Sequence, residues 1–282
     1  MNLNQTVSKA SKILRNCNIH SHELDAQIIL SEIMGVTKEF LIINESLKIS
    51  KKIREKYFYA IKRRIKKEPV AFITGKKEFW SENFKVNHNT LVPRPETELL
   101  VHNVVRSLKN KNINILDIGT GSGCILLSLL KELRSSRGLG IDISASAIKI
   151  AKENANNLNL VNRSKFKVWD IKNFYFGRYD LIVSNPPYIP FRNIRNLSKD
   201  IRNFEPMSAL NGGNDGLDLI KKVIYKSSVH LKINGLLAIE IGNGQYIKVS
   251  RTLHNFGFRE VSKVCDNKSN VRCIISTKAR FF

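Results

Sequence analysis

The sequence has few acidic residues and no long apolar run. Among its 282 residues, 24 Asp and Glu stand against 47 Lys and Arg, which gives a formal net charge of +23. Hydrophobic residues make up 42% of the chain and occur in short runs, which excludes the disordered, fibrous and membrane-spanning classes. The start, MNLNQTVSKASKIL, lacks the apolar stretch of a secretory signal. We therefore expect a cytoplasmic protein with no membrane partner.

Cysteine is also scarce. The four cysteines, Cys17, Cys124, Cys265 and Cys273, form no C-x-x-C pair and have no histidine at metal-ligand spacing. This pattern excludes a disulfide-rich scaffold and predicts reduced, structural thiols. Because the six histidines are scattered as well, we expect no metal site.

The net charge has two interpretations, a surface that works near a polyanion or a bias of the whole composition. Residues 1–92 hold 17 Lys and Arg and 9 Asp and Glu, a net of +8, and residues 93–282 hold the remaining 30 and 15, a net of +15. The run KKIREKYFYAIKRRIKK (51–67) is basic and amphipathic, and we interpret it as a solvated helix face rather than an RNA contact. The even spread favours a bias over a dedicated nucleic-acid-binding module.

The hydrophobic pattern divides the chain into three parts. Residues 1–75 carry apolar side chains at three- and four-residue spacing, which predicts a small helical domain. Residues 76–94 contain two short apolar segments around polar residues, which predicts a β-hairpin linker. In residues 95–282, strand-like runs alternate with helical segments, which predicts an α/β domain with a mostly parallel sheet covered by helices on both sides.

Seven strand-like runs form the predicted sheet. They are INILDI (113–118), GLGIDI (138–143), KFKVW (165–169), YDLIVS (179–184), GLLAIEI (235–241), FREVSKV (258–264) and VRCIIST (271–277). The polar turn between the last two is too short for a crossover helix, so these two strands should be antiparallel neighbours.

A glycine-rich turn follows the first of these strands. In LDIGTGSGC (116–124), three glycines come after Asp117 and open a helix that begins near Ser122. Such a turn lets a ligand approach backbone N–H groups at the start of a helix. Asp142 ends the next strand, where an acidic side chain typically accepts hydrogen bonds from ribose hydroxyls. The two features predict an adenosine site at the carboxyl edge of the sheet, with the rest of the ligand left open.

The spacing G-x-G-x-G differs from the G-x-G-x-x-G of dinucleotide sites. The Asp117 carboxylate would repel a pyrophosphate, but it suits a cationic or zwitterionic ligand, such as the amino-acid end of S-adenosylmethionine.

The fourth strand ends in SNPPYIP (184–190), a turn stiffened by two prolines. Asn185 offers a side-chain carbonyl and Pro186 a main-chain carbonyl, and Tyr188 could stack on a flat group. Two acceptors on a rigid turn suit a planar NH2 group, because each N–H is bound while the nitrogen lone pair stays available. The turn therefore predicts chemistry on an amide or amino nitrogen.

These motifs carry a family resemblance. DIGTGSG, Asp142 and NPPY resemble class I S-adenosylmethionine-dependent methyltransferases that modify NH2 nitrogens of nucleic-acid bases or glutamine side chains. The resemblance implies a Rossmann-like α/β domain with a mostly parallel seven-stranded sheet and an antiparallel last strand. LVPRPETELL (91–100) and FEPMSALNGGNDGLDLI (204–220), with an N-terminal helical substrate-recognition domain, are similar to bacterial release-factor glutamine methyltransferases of the HemK type. This similarity covers essentially the whole chain, and PRPETE (93–98) matches the release-factor form.

The resemblance implies two overlapping sets of site residues. The expected cofactor-binding residues are Asp117, Gly119, Thr120, Gly121, Ser122, Gly123, Asp142, Trp169, Asp170 and Asn185. The expected substrate-binding residues are Asn185, Pro186, Pro187 and Tyr188, with Asn185, Pro186 and Tyr188 catalytic. In VWD (168–170) the aromatic residue precedes the acidic one, the reverse of the common family order, so the adenine contact falls on Trp169 or Asp170.

The function implied by the resemblance is an in-line methyl transfer from S-adenosylmethionine to the side-chain amide nitrogen of the glutamine in a Gly-Gly-Gln loop of release factors. The expected enzyme is a monomer without a metal. The NPPY turn and the charge of +23 also permit an alternative, an RNA or DNA methyltransferase acting on an adenine, cytosine or guanine amino group. Direct nucleic-acid binding is otherwise not expected. A third hypothesis, a binding factor without chemistry, is disfavoured because the motifs are intact.

Overall fold

The computed structural model describes residues 1–108 and 111–279. The chain forms two compact units. The helical unit comprises Met1–Lys76 with Ser198–Phe204, and the sheet unit comprises Lys77–Leu197 with the residues from Glu205 onward. The short segment 198–204 joins the helical unit although it lies far along the chain, an assignment that no local sequence pattern indicates.

The N-terminal part of the helical unit is built from short amphipathic helices. They are α1 (Leu3–Asn16), α2 (His22–Met34), α3 (Lys38–Ile43), α4 (Lys51–Ile65) and α5 (Val70–Thr74). Asn2 begins α1 with a reciprocal cap, in which its side chain accepts from the Gln5 backbone N–H and Gln5 returns the bond to Asn2. The apolar faces meet around Tyr57, whose hydroxyl donates to the Ala26 carbonyl at 3.0 Å. Burial of these faces stabilises helices too short to persist alone.

Helix α4 corresponds to the basic run predicted to be a solvated face. Its buried residues are Tyr57, Ala60, Ile61 and Arg64, whereas its four lysines are exposed. The Arg64 guanidinium is an exception, since its Nε lies 2.7 Å from a carboxylate oxygen of buried Asp25.

A two-stranded hairpin, β1 (Lys76–Phe79) and β2 (Glu82–Lys85), follows the helices. Trp80 and Ser81 both take positive φ values, 52° and 58°, and make the turn. Tertiary bonds hold this strained turn, because the Trp80 backbone N–H donates to Glu98 and the indole N–H donates to Glu132.

The sheet unit contains a seven-stranded sheet. Its strands are β3 (Asn114–Ile118), β4 (Arg137–Asp142), β5 (Ser164–Val168), β6 (Tyr179–Ser184), β7 (Leu231–Glu240), β8 (Phe258–Cys265) and β9 (Val271–Lys278). They lie in the order β5-β4-β3-β6-β7-β9-β8. The first five pair in parallel, whereas β9 is antiparallel to both β7 and β8. The predicted sheet and its antiparallel last strand are confirmed.

Helices cover both faces of the sheet. After the hairpin, the chain forms α6 (Pro95–Leu108), α7 (Cys124–Glu132), α8 (Ala145–Asn157), α9 (Lys199–Phe204, in the helical unit), α10 (Met207–Leu210), α11 (Asp218–His230) and α12 (Tyr246–Asn255). Helices α6, α7 and α8 pack in one hydrophobic cluster, and α11 and α12 pack in the other. Neighbouring residues of β3 enter different clusters, Ile115 the first and Leu116 the second, as the alternation along a strand requires.

Within residues 1–108 and 111–279, no helix is long and apolar enough to cross a bilayer. All four cysteines are free thiols.

Candidate active site

The strand order reverses direction between β3 and β6. From β3 the chain moves outward through β4 and β5, and then returns to place β6 on the other side of β3. In open parallel sheets such a switch point leaves a crevice outside the carboxyl ends of the strands, where ligands bind. The glycine-rich turn follows β3 and the NPPY turn follows β6, so the topology brings the two predicted motifs to this crevice.

The backbone of the glycine-rich turn faces open space. Gly119 and Gly121 have positive φ values of 73° and 54°, and a Cβ built on either would meet no atom within 4 Å. The turn is anchored to the neighbouring strand β4, since the Gly119 and Thr120 backbone N–H groups both donate to the Ile141 carbonyl. A fixed turn with empty space above it can receive a ligand against its backbone.

Two aspartates flank this turn in different environments. Asp142 accepts from the Gly121 N–H with one carboxylate oxygen and from the Ser144 N–H with the other, both at 2.9 Å. Asp117 is completely buried. Its Oδ2 accepts from the Thr120 hydroxyl at 2.6 Å, and its Oδ1 has no hydrogen-bond partner in the described residues.

Burial raises the pKa of both carboxyls, and for Asp117 it does so to about 7, against the lowering effect of the Thr120 hydroxyl. An orphaned buried carboxylate oxygen favours a cationic group nearby, which suits the ammonium of an amino-acid ligand.

Ten of the predicted site residues line one cavity of about 480 Å³. They are Gly119, Thr120, Gly121, Ser122, Asp142, Trp169, Asp170, Asn185, Pro186 and Pro187. This volume is typical of a site for a small molecule. The structure therefore places most of both predicted sets around a single space.

Three predicted residues lie outside the lining of this cavity. Asp117 lies buried behind the glycine turn. Gly123 packs in the interior, where a Cβ would come within 3.2 to 3.3 Å of Leu127, Ala151 and Phe166. The Tyr188 hydroxyl donates to Glu240 at 3.3 Å.

Trp169 and Asp170 both line the cavity beyond the end of β5. The indole N–H of Trp169 donates to the Asn173 carbonyl, and its ring packs edge-on against Phe174 at 5.3 Å between centroids. Asp170 begins a short 3₁₀ helix by accepting from the Lys172 N–H. Both side chains thus have structural partners while bordering the cavity, so the choice between them as the adenine contact stays a prediction.

The amide of Asn185 is held in a defined orientation. Its Nδ2 donates to the Thr97 hydroxyl at 3.1 Å, and that hydroxyl donates to Glu240 Oε2 at 2.6 Å. Because the amide nitrogen faces Thr97, Oδ1 faces away from it as an acceptor. This orientation is compatible with the substrate-binding role expected for Asn185, which stays a prediction.

A second loop braces the NPPY turn. The segment Ile189–Phe191 exchanges backbone hydrogen bonds with Leu210–Gly213, at 2.8 to 3.1 Å. Gln245 adds two bonds from one amide nitrogen, to the Tyr188 and Gly216 carbonyls. The segments 91–100 and 204–220, which carry the family resemblance beside the NPPY motif, also contact each other, since Arg94 pairs with buried Glu205 at 2.5 Å.

Sequence reasoning missed Thr97 and Glu240 as site residues. Thr97 lies at the start of α6, within the PRPETE segment that was singled out only as a family match and not for a site residue. Glu240 ends β7, and an acidic residue at the carboxyl end of a parallel strand is the same signal that singled out Asp117 and Asp142. Among the described residues no cluster of three or more His, Cys, Asp or Glu side chains is arranged to hold a metal.

Comparison with known proteins gives matches over almost the whole chain. Residues 5–75 match the model of the PrmC N-terminal domain, and residues 109–278 match that of a methyltransferase domain. The release factor glutamine methyltransferase of Buchnera aphidicola subsp. Schizaphis graminum is 39% identical, over 99% of this chain and 100% of that protein. The protein of the same name from Clostridium acetobutylicum is 36% identical, over 99% of each chain.

Solved structures show the same fold at low identity. A methyltransferase from Pyrococcus furiosus superimposes with a TM-score of 0.54 at 15% identity, over 82% of this chain and 100% of that one. A ribosomal protein L11 methylase from Lactobacillus delbrueckii subsp. bulgaricus gives 0.51 at 20% identity, over 66% and 81%. The α/β methyltransferase fold, the N-terminal domain and the near full-length identity lead to one conclusion: the chain belongs to the release factor glutamine methyltransferase family.

Proposed function

We propose that this protein methylates the side-chain amide nitrogen of the glutamine in the Gly-Gly-Gln loop of peptide chain release factors, with S-adenosylmethionine as methyl donor. The observation that carries the proposal is the fixed amide of Asn185, whose nitrogen is bound to Thr97 and whose oxygen remains an acceptor. A release-factor substrate places the reaction in the cytoplasm.

The cavity residues, together with Asp117 buried next to the glycine turn, fit the methyl donor. The orphaned Oδ1 of buried Asp117 favours a cationic group near the glycine turn, the open space above Gly119 and Gly121 admits a ligand, and Asp142 lies where ribose hydroxyls are accepted. Trp169 and Asp170 border the side expected for the adenine. When bound, S-adenosylmethionine supplies an electrophilic methyl group on a sulfonium.

The NPPY turn supplies acceptors for the nucleophile. An amide nitrogen is a poor nucleophile because its lone pair is delocalised into the carbonyl. Asn185 Oδ1 and the Pro186 carbonyl bind the two N–H groups and favour positive charge on that nitrogen as the bond to carbon forms. The same two contacts align the nitrogen, which converts an encounter into an oriented reaction. The proton that the nitrogen loses passes to water.

The charge around the cavity favours a neutral amide over a polyanion. Among the residues that the structure describes, six charged ones line the cavity, three of each sign: Arg94, Lys172, Lys222, Asp142, Asp170 and Asp218. A channel for RNA or DNA is instead lined by an excess of cations. The charge of +23 therefore does not concentrate where the chemistry occurs, which weighs against the nucleic-acid alternative.

The test is a transfer assay with labelled S-adenosylmethionine and two separate acceptors, a purified release factor and bulk RNA. We expect label in the release factor, and replacing its Gly-Gly-Gln glutamine by alanine should abolish the label. Label in RNA alone would overturn the proposal in favour of the nucleic-acid alternative.

A further inference from the structure

A buried hydrogen-bond chain lies behind the candidate substrate acceptor. Thr97, in the first turn of α6, and Glu240, at the end of β7, are only 2% and 1% exposed. Thr97 connects Glu240 to Asn185, since its hydroxyl lies 2.6 Å from Glu240 Oε2 and 3.1 Å from Asn185 Nδ2. Tyr188 donates to the other carboxylate oxygen at 3.3 Å. Three segments distant in sequence therefore converge on one amide.

The number of available hydrogens fixes which group donates and which accepts in the hydrogen-bond chain from Asn185 through Thr97 to Glu240. An ionised carboxylate only accepts, and a threonine hydroxyl has a single hydrogen to donate. With Glu240 ionised, Thr97 donates that hydrogen to the carboxylate and can only accept from Asn185. The Asn185 amide must then turn its NH2 group toward Thr97, because the opposite rotamer would face oxygen against oxygen.

The opposite rotamer would also present the wrong group to the substrate. An NH2 group on the cavity side would face the N–H groups of the substrate amide, donor against donor. We propose that Thr97 and Glu240 are positioning residues that hold the Asn185 amide with its oxygen toward the substrate amide. This inference rests on the function proposed above.

The surroundings of Glu240 determine the pH range in which its carboxylate is ionised and the hydrogen bonds run in this direction. Burial raises the pKa of Glu240 to about 6, while the Thr97 and Tyr188 hydroxyls and the Arg272 guanidinium lower it, and Glu96 opposes them. The nearby thiols of Cys124 and Cys273 are neutral, because burial raises their pKa values above the usual range. Glu240 is therefore ionised at neutral pH. Below about pH 6 Glu240 gains a hydrogen that it can donate to Thr97. The Thr97 hydroxyl can then donate to Asn185 Oδ1, which reverses the orientation of the Asn185 amide.

The first experiment compares T97V with T97S in the full-length enzyme. Valine keeps the shape of threonine but removes the hydroxyl, whereas serine keeps it. For T97V we expect kcat toward a release factor to fall about 10- to 100-fold, as when a fixed polar contact to a transition state is lost. Affinity for S-adenosylmethionine, measured by calorimetry, should stay within about threefold. T97S should keep kcat within about threefold of wild type. Equal kcat losses in T97V and T97S, or unchanged kcat in T97V, would overturn the inference.

The second experiment tests the role of the carboxylate through pH. At saturating concentrations of both substrates, wild-type kcat should fall tenfold per pH unit below about pH 6. E240Q, whose side-chain oxygen can still accept from Thr97 but cannot titrate, should lose this acidic limb. An acidic limb retained in E240Q would overturn the inference. A wild-type enzyme that transfers no methyl group to release factors at any pH would instead overturn the proposed function.

Discussion

At the residue scale, Asn185 should separate chemistry from ligand binding. Asn185→Ala removes an acceptor that matters most as charge forms on the substrate nitrogen, so we expect kcat to fall about 10²- to 10³-fold. Affinity for S-adenosylmethionine should stay within about tenfold of wild type, measured by calorimetry. Asn89→Ala is a matched control, because Asn89 lines the same cavity without a predicted role in the transfer. Equal losses of kcat and affinity in Asn185→Ala would place this residue in ligand binding instead.

Asp117 should illustrate a conflict between binding and stability. Its pKa is raised on folding from 3.8 to about 7, so the folded state loses stability relative to the unfolded state as pH rises through that window. Asp117→Asn removes this cost while keeping an acceptor for Thr120. At pH 8 we expect the free energy of unfolding to rise, by on the order of 4 kcal/mol, and by less at pH 5.

The same variant should bind S-adenosylmethionine more weakly, because the buried negative charge is gone. Denaturant unfolding at the two pH values and calorimetric titration measure the two effects. A destabilised Asp117→Asn with unchanged affinity would contradict both the burial argument and the assignment to the cofactor site.

At the element scale, the loop that braces the NPPY turn should be sensitive to a single methyl group. Gly216 has a φ of 78°, and a Cβ there would lie 2.3 Å from the Tyr188 carbonyl oxygen. Gly216→Ala should therefore displace the NPPY turn, lowering the free energy of unfolding by about 3 kcal/mol and kcat at least tenfold. Gly244→Ala is the control, since its φ is 79° but its Cβ would meet nothing within 4 Å.

The control should cost only about 1 to 2 kcal/mol, the strain of a left-handed alanine, and keep its activity. Thermal unfolding and steady-state kinetics of both variants measure the difference. Similar kinetics for the two would show that the brace does not position the turn.

Local sequence patterns predicted the helices, the strands and the carboxyl edge of the sheet. Hydrophobic periodicity distinguishes helices from strands, and polar residues mark where buried strands end. The apolar runs gave the seven strands, and Asp142 and Asn185 marked the carboxyl edge because polar residues there end buried strands. The bond from Thr97 to Glu240 joins residues 143 positions apart, and no periodic pattern carries such a pairing. The turn of the predicted hairpin likewise includes Trp80, whose backbone N–H bonds to Glu98, 18 positions away, a contact that no local pattern indicates.

At the scale of the whole molecule, part of the excess positive charge lies on exposed lysines at an edge of the sheet and on helix α4. Lys165 and Lys167 are exposed on β5, one of the two edge strands of the sheet, where lysines discourage pairing with a foreign strand. Exposed lysines also follow the outer face of α4. Together with the charge-balanced cavity, lysines on such solvent-facing positions are consistent with the proposed protein substrate.

The two compact units should respond separately to a defect in one of them. Arg64 and Asp25 form a buried ion pair in the helical unit, with side chains 8% and 7% exposed. Arg64→Met leaves the Asp25 carboxylate with the Ser21 hydroxyl but without its cationic partner, which should destabilise the helical unit by about 3 kcal/mol. Since the residues lining the cavity proposed for the cofactor lie in the sheet unit, affinity for S-adenosylmethionine should remain within about threefold at temperatures where only the helical unit unfolds.

Calorimetric unfolding of Arg64→Met should accordingly show an early transition that does not shift when S-adenosylmethionine is added, followed by one that does. Lys51→Met is the control on the same helix, because Lys51 and Glu55 form an exposed pair 4.0 Å apart, worth less than about 1 kcal/mol. A single transition in Arg64→Met that shifts as a whole with the ligand would show that the two units fold as one cooperative body.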